Sequence, residues 1–268
     1  MAVATPSLAL AAVFVATRRC WRRVSSAMHV VVVLVSGPSG SGKSTLSKKL
    51  ATAWENVVGM PAVVLSQDSY FAGSFVPYAE AVDDTMERPE HVDFNALEHA
   101  LYVSVRKMRH AATKAHHNKK AIGLAIVEGH VLLCNERIVG LADIVIILNA
   151  ECEVCLSRRI HRRQRDSKTN KAIRQYFRAH AWPAHQLRVA PIVTQLLMEQ
   201  QEDIVTFSDI NETKGSHSEV DSNQGIKMER GKIGLMRILQ RKGGVTPIVI
   251  SVDATSNTPD GLCHCLIK

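Results

Sequence analysis

With 268 residues and a hydrophobic content of 46%, the chain is long enough for one sizeable α/β core and too apolar to be mostly disordered. Its net charge of +8 is unevenly spread: no acid precedes Glu55, and between Arg158 and Arg178 the only one is Asp166. Such a balance suits nucleic acid, an anionic membrane or a polyphosphate, but aromatics at 5% are too few for a base-stacking surface on single-stranded nucleic acid.

Residues 1–28 read as separate from the fold. The apolar run Leu8 to Ala16 is followed by Arg18, Arg19, Arg22 and Arg23. The run is too short to span a bilayer, and a secretory signal would carry its positive charge before the apolar stretch. Two readings stay open: an Arg-rich, acid-free organelle transit peptide, or a true start at Met28, which stands directly before the first strand. The protein is expected in the cytoplasm, with organelle targeting by residues 1–27 as the alternative.

The first predicted strand is the β-branched run 29–35, and a helix is predicted over 43–55. Between them stands Gly37-Pro38-Ser39-Gly40-Ser41-Gly42-Lys43-Ser44, the phosphate-loop pattern of Gly, four residues, Gly-Lys-Ser/Thr. The glycines let backbone N–H groups close around phosphate oxygens, and the helix N-terminus faces the anion with partial positive charge. Gly37, Ser39, Gly40, Ser41, Gly42, Lys43, Ser44 and Thr45 are the candidate phosphate-binding residues. Lys43 can reach the β/γ-phosphates, and the Ser44 hydroxyl can ligate Mg²⁺. A chance glycine-rich turn is the alternative, and the strand-and-helix context argues against it.

Further strands are predicted at Ala62–Ser66, Ala121–Val127, Asp143–Asn149 and Pro247–Val252, and helices at Phe94–His110, 151–163, 172–178 and 184–201. This alternation predicts an α/β fold with a parallel sheet. His110 to Lys120 is expected to be a solvated loop, and 204–246 a polar, partly disordered insertion before the last strand and C-terminal segment, 247–268. Cys152-x-x-Cys155 and Cys263-x-Cys265 lie over a hundred residues apart and are read as reduced cysteines rather than a zinc site.

The chemistry is expected at the carboxyl ends of the strands. Strand two ends in Ser66-Gln67-Asp68 and strand three in Val127-Glu128-Gly129-His130. If both flank strand one, Asp68 and Glu128 face the γ-phosphate, where a carboxylate can take a hydroxyl proton or hold Mg²⁺ through water. A helix N-cap or a surface ion pair is the alternative for either.

These elements, with Arg88-Pro89-Glu90-His91-Val92-Asp93-Phe94-Asn95-Ala96-Leu97, Ile126 to Leu133, Arg158 to Arg163 and Tyr176-Phe177-Arg178-Ala179-His180-Ala181-Trp182-Pro183, occur in an order that resembles the nicotinamide riboside kinases of the uridine kinase-like group. The resemblance covers about residues 29–203 and resumes near Pro247. It implies a three-layer sandwich around a central parallel sheet, with a basic lid at about 163–178. It also implies ATP and Mg²⁺, a small nucleoside as partner, and phosphorylation of the 5′-hydroxyl of nicotinamide riboside, with uridine or cytidine as the alternative acceptor. By this resemblance Lys43, Asp68 and Glu128 are catalytic, Asp68 as base. Ser44 and Glu128 serve Mg²⁺, Arg158 and Arg162 the phosphoryl group, with a solvated helix face or a nucleic-acid patch as the alternative for the arginine run, and Asp93, Tyr176 and Phe177 the nucleoside, with core packing as the alternative for Phe177. Two features depart from the pattern. Asp166 to Gln175 replaces a proline- and glycine-rich turn, and Arg178 stands where an acid is usual, which should make a cationic ring less welcome unless that side chain turns away. No nucleic acid or membrane span is expected, and the oligomeric state is open. A GTPase is disfavoured by the lack of an Asn-Lys-x-Asp segment. A non-catalytic nucleotide- or nucleic-acid-binding protein would not need the three acids in this order.

Overall fold

The computed structural model describes residues 28–115, 121–162, 164–198 and 248–254. The expectations for the leader, the polar insertion and the second cysteine pair lie outside them.

Five strands form one sheet: β1 (Met28–Ser36), β2 (Ala62–Ser66), β3 (Ala121–Gly129), β4 (Ile144–Asn149) and β5 (Ile248–Asp253). Their order is β2-β3-β1-β4-β5, and every pairing is parallel. β1 lies at the centre, in register with β3 from Met28↔Ala121 to Ser36↔Gly129 and with β4 from Val33↔Ile144. A strand covered on both faces must be apolar throughout, and Val30 to Val35 are all buried. Their alternation builds two cores. Val31, Val33 and Val35 pack with Leu46, Leu50 and Trp54 of α1 (Lys43–Val58). Val30, Val32 and Leu34 pack with Leu97, Leu101 and Met108 of α2 (Phe94–Ala115). Helices on both faces make the three-layer arrangement.

β3, not β2, is the partner of β1 on that side; β2 pairs only with β3. The expectation that strands two and three both flank strand one is therefore corrected. Sequence proximity cannot reveal such a skipped position, which a crossover connection creates. The expected loop from His110 is helical as far as Ala115. Its polar residues fit a helix whose buried positions, Leu97, Leu101 and Met108, recur at helical spacing.

After β3 come the short α3 (Glu136–Gly140), then β4 and α4 (Cys152–His161), so Cys152 and Cys155 sit in a helical first turn. The segment expected to hold two separate helices is a nearly continuous run: α5 (Ser167–Tyr176), a π turn (Phe177–Ala181), α6 (Trp182–Arg188) and α7 (Ala190–Met198). α5 begins earlier than expected because Asp166 caps it, accepting from the Thr169 N–H at 2.8 Å. Among the described residues no helix is long and apolar enough to cross a membrane.

Candidate active site

The phosphate loop joins β1 to α1 and packs against α4. At Gly40 φ is +90°, and a Cβ there would stand 2.3 Å from the Cys155 carbonyl oxygen. Only glycine allows that approach. The Ser41 N–H donates to the Pro38 carbonyl at 3.1 Å, and Lys43 Nζ donates to the same oxygen at 2.9 Å. Burial pushes the Lys43 ammonium below its ordinary value, opposed by Glu128 and Asp68. Arg158, from α4, donates to the Ser41 carbonyl at 3.4 Å and to the Ala254 carbonyl at 2.8 Å, tying the loop to the end of β5.

The carboxyl ends of β1, β2 and β3 bring the acids together. Ser44 Oγ donates to Glu128 Oε1 at 3.0 Å. Both residues line a cavity of about 800 Å³ with Ser39, Gly40, Gly42, Lys43, Thr45 and Asp68, and with Arg158, Arg159, Arg162 and Arg165. A second cavity of about 400 Å³ adjoins it, lined by Gln67, Phe71, Met86 and Glu87 among others. Ser39, Asp68, Phe75, Tyr78, His130 and Arg159 border both. Asp68, exposed after β2, therefore faces two compartments, one walled by the phosphate loop and arginines, the other by an acid and aromatics. Gly37 and Ser41 border neither cavity and shape the loop from behind.

Three residues expected at the nucleoside border neither cavity. Asp93 is the N-cap of α2, its Oδ1 accepting from the Ala96 N–H at 2.8 Å, and it borders neither cavity. Tyr176 and Phe177 are 2% and 1% exposed, in a third core with Cys155, Leu156, Ile160 and Ile173. The apolar positions Ala172, Ile173, Tyr176 and Phe177 form one helical stripe, and a stripe is buried against its neighbours. Arg178 turns outward, both Glu153 carboxylate oxygens accepting from its Nη2 at 3.0 and 2.9 Å. The guanidinium thus has a surface partner, and the side chain turns away from both cavities.

Arg159, Glu87 and His130 also line the cavities. Arg159 donates to Ser39 Oγ and, at 2.8 Å, to Tyr78 Oη, with its guanidinium 5.1 Å from the Tyr78 ring centroid. It lies in the same basic block as Arg158 and Arg162, whose composition does not distinguish one arginine from another. Glu87 is buried at 7% exposure in the second cavity. It precedes the Arg88-Pro89 segment by one residue, and buried acids are rare enough to mark a site. His130 follows Glu128-Gly129 and borders both cavities. Burial lowers its imidazole below the ordinary value, with Glu87 opposing and Lys43 adding to the shift.

The chain is similar in sequence to known proteins. Uridine kinase from Haemophilus influenzae (strain PittEE) is 27% identical over 163 residues, covering 54% of this chain and 75% of its own length. Uridine kinase from Clostridium botulinum (strain Okra / Type B1) is 24% identical over 203 residues, covering 71% of this chain and 91% of its own. Uridine kinase from Anoxybacillus flavithermus (strain DSM 21510 / WK1) is 27% identical over 203 residues, covering 71% and 89%. Among solved structures, a putative fructose transport system kinase from Silicibacter sp. TM1040 is similar with a TM-score of 0.46 and 22% identity, covering 67% of this chain and 94% of that one. Residues 32–199 match the Phosphoribulokinase / Uridine kinase family from the first strand through α7, and the chain belongs to that family.

Proposed function

We propose that the chain is an ATP-dependent nucleoside kinase that moves the γ-phosphoryl of ATP onto the 5′-hydroxyl of a pyrimidine ribonucleoside, uridine or cytidine. The observation that carries this reading is the position of Asp68, on the wall common to the two cavities. ATP occupies the larger one, its phosphates on the loop Gly37–Thr45 and Lys43. The acceptor occupies the smaller one. Asp68 takes the proton of the acceptor hydroxyl, whose oxygen attacks the γ-phosphorus as the bond to the β-phosphate oxygen breaks and ADP leaves. Arg158, Arg159, Arg162 and Arg165 face the transferring group as a basic lid.

Ser44 and Glu128 present oxygens 3.0 Å apart beside Lys43, with Asp68 in the same cavity. An all-oxygen donor set fits Mg²⁺. When bound, the ion neutralises charge on the phosphates. Ser44 and Glu128 would hold it, Glu128 through water.

The pyrimidine acceptor is favoured by the relatives named uridine kinase and by the placement of the residues that supported nicotinamide riboside. Asp93, Tyr176 and Phe177 border neither cavity, and Glu87 stands where a carboxylate can accept from acceptor hydroxyls. Nicotinamide riboside remains a second reading on one observation: a cationic ring there would meet Glu87 and not Arg178, which is paired with Glu153. The test is a panel of uridine, cytidine, 2′-deoxycytidine and nicotinamide riboside with ATP–Mg²⁺ and product identification. Uridine or cytidine should be turned over best and the deoxynucleoside poorly. Preference for nicotinamide riboside selects the second reading, and no transfer to any of them refutes both.

A further inference from the structure

The smaller cavity contains a carboxylate whose position is set by its neighbours, two on the cavity wall and one behind it. Glu87 closes a 3₁₀ turn, Thr85–Glu87. Its Oε1 accepts from the Tyr176 hydroxyl at 3.1 Å, reaching across from α5. Its Oε2 lies 3.2 Å from His130 Nε2, at the end of β3. The contact is off the line of a good hydrogen bond, and this nitrogen has no other partner among the described residues. Behind His130 stands Gln67, 1% exposed. The Gln67 Oε1 accepts from the Val131 backbone N–H at 3.1 Å, and its Nε2 is 3.3 Å from His130 Nδ1.

The direction of this chain of contacts follows from its last member. A backbone N–H can only donate, so Gln67 must turn its carbonyl oxygen to Val131. Its amide –NH₂ then faces His130, whose Nδ1 must accept. The ring proton is left on Nε2, the nitrogen turned to Glu87. At the other end, burial, reinforced by Glu87, raises the Tyr176 phenol far above its ordinary value, so the hydroxyl stays a donor. One oxygen of the carboxylate therefore accepts from the Tyr176 hydroxyl, and the other lies 3.2 Å from the ring nitrogen of His130 that carries the proton. Gly129 gives Gln67 its place, because a Cβ there would stand 2.3 Å from Gln67 Oε1 and 2.6 Å from its Cβ. Lys43, Asp68 and Arg159 also face the imidazole, from the phosphate loop, the end of β2 and α4.

We propose that Gln67, His130 and Tyr176 are positioning residues that hold the Glu87 carboxylate in the smaller cavity with its remaining lone pairs turned to the acceptor. Tyr176 thereby influences acceptor affinity without bordering the cavity. The inference rests on the reading of that cavity as the acceptor site.

The test uses the full chain and whichever nucleoside the wild type phosphorylates. Tyr176→Phe and Gln67→Leu should each raise the acceptor KM by about tenfold, the loss expected for one hydrogen bond to a charged group, with kcat and the KM for ATP within about twofold. Glu87→Gln should raise the acceptor KM at least as much. Adding Tyr176→Phe to Glu87→Gln should change it further by less than about twofold, because the tyrosine acts through the acid. The same tenfold rise in both backgrounds, or an equal loss of affinity for ATP, would overturn the proposal. Ring ¹⁵N shifts of His130, assigned by comparison with His130→Asn, give a readout that needs no substrate. A proton on Nε2 in the wild type, with that preference lost in Gln67→Leu, supports the relay; a proton on Nδ1 overturns it. If the wild type phosphorylates no nucleoside, the acceptor reading falls and the ring proton alone decides the relay.

Discussion

Replacing Gly40 by alanine tests how the phosphate loop is held, and Gly42→Ala supplies the matched control. Both glycines have positive φ, +90° and +105°. Either alanine strains the backbone by about 1–2 kcal/mol, less about 0.4–1 kcal/mol regained from the stiffer unfolded chain. At Gly42 a Cβ meets nothing within 4 Å, so that difference is the whole effect. At Gly40 the Cβ would lie 2.3 Å from the Cys155 carbonyl oxygen and 2.9 Å from its carbon, backbone atoms of a helix that cannot give way cheaply. Overpacking of this kind adds about 1–3 kcal/mol. For a domain of this size, about 2–4 °C of Tm per kcal/mol applies. Gly42→Ala should thus lower Tm by roughly 0–6 °C, and Gly40→Ala by roughly 2–18 °C, the second always more than the first. Thermal melting by circular dichroism without nucleotide reads both. Equal shifts for the two variants would mean that the loop does not rest on α4, and the account of the site's rear wall would fail.

Asp68→Asn keeps the shape but cannot accept a proton, so kcat should fall by about two to four orders of magnitude with nucleotide affinity nearly unchanged, as measured by turnover and calorimetry. An unaltered kcat would make Asp68 a bystander. Arg178→Ala removes an exposed ion pair with Glu153 and should leave the acceptor KM unchanged; a clear rise would place that side chain at the substrate after all. The His185 imidazole is pushed down to about 4 by burial, with Lys43 and His130 adding to the shift. The unfolded chain takes up that proton near pH 6.5, so this site's contribution is level above that value and falls as the pH drops towards 4. His185→Phe should flatten the fall of Tm across this window, and identical pH profiles would refute the assignment.

Much of the framework is written locally. The β-branched run of β1, the glycine spacing of the phosphate loop and the acids at the ends of β2 and β3 follow from period, turn chemistry and a strand-then-helix rule. The strand order does not. Placing β3 between β2 and β1 depends on which apolar strands pair across 90 or so residues, and every buried strand here is comparably Val- and Ile-rich. The start of α5 was hidden for another reason: Asp166 read as part of a charged segment, yet with Thr169 three residues on it carries an N-cap signal.

The acceptor side was the hardest to read, because one residue type serves both a cavity and a core. Tyr176 and Phe177 sit at i+4 from Ala172 and Ile173, and that spacing alone states that they share the buried stripe of α5. Asp93 immediately precedes the helical run Phe94 to Leu97, the position of a cap, and the structure uses it as one. Glu87 carries no such local signal. Its burial arises only when the turn Thr85–Glu87 is folded against Tyr176 and His130, residues 89 and 43 positions away. A carboxylate without a partner would not remain in so dry a place. The neighbours that make its burial tolerable are therefore also those that aim it, and reading the acceptor from sequence requires finding the donors before the acid.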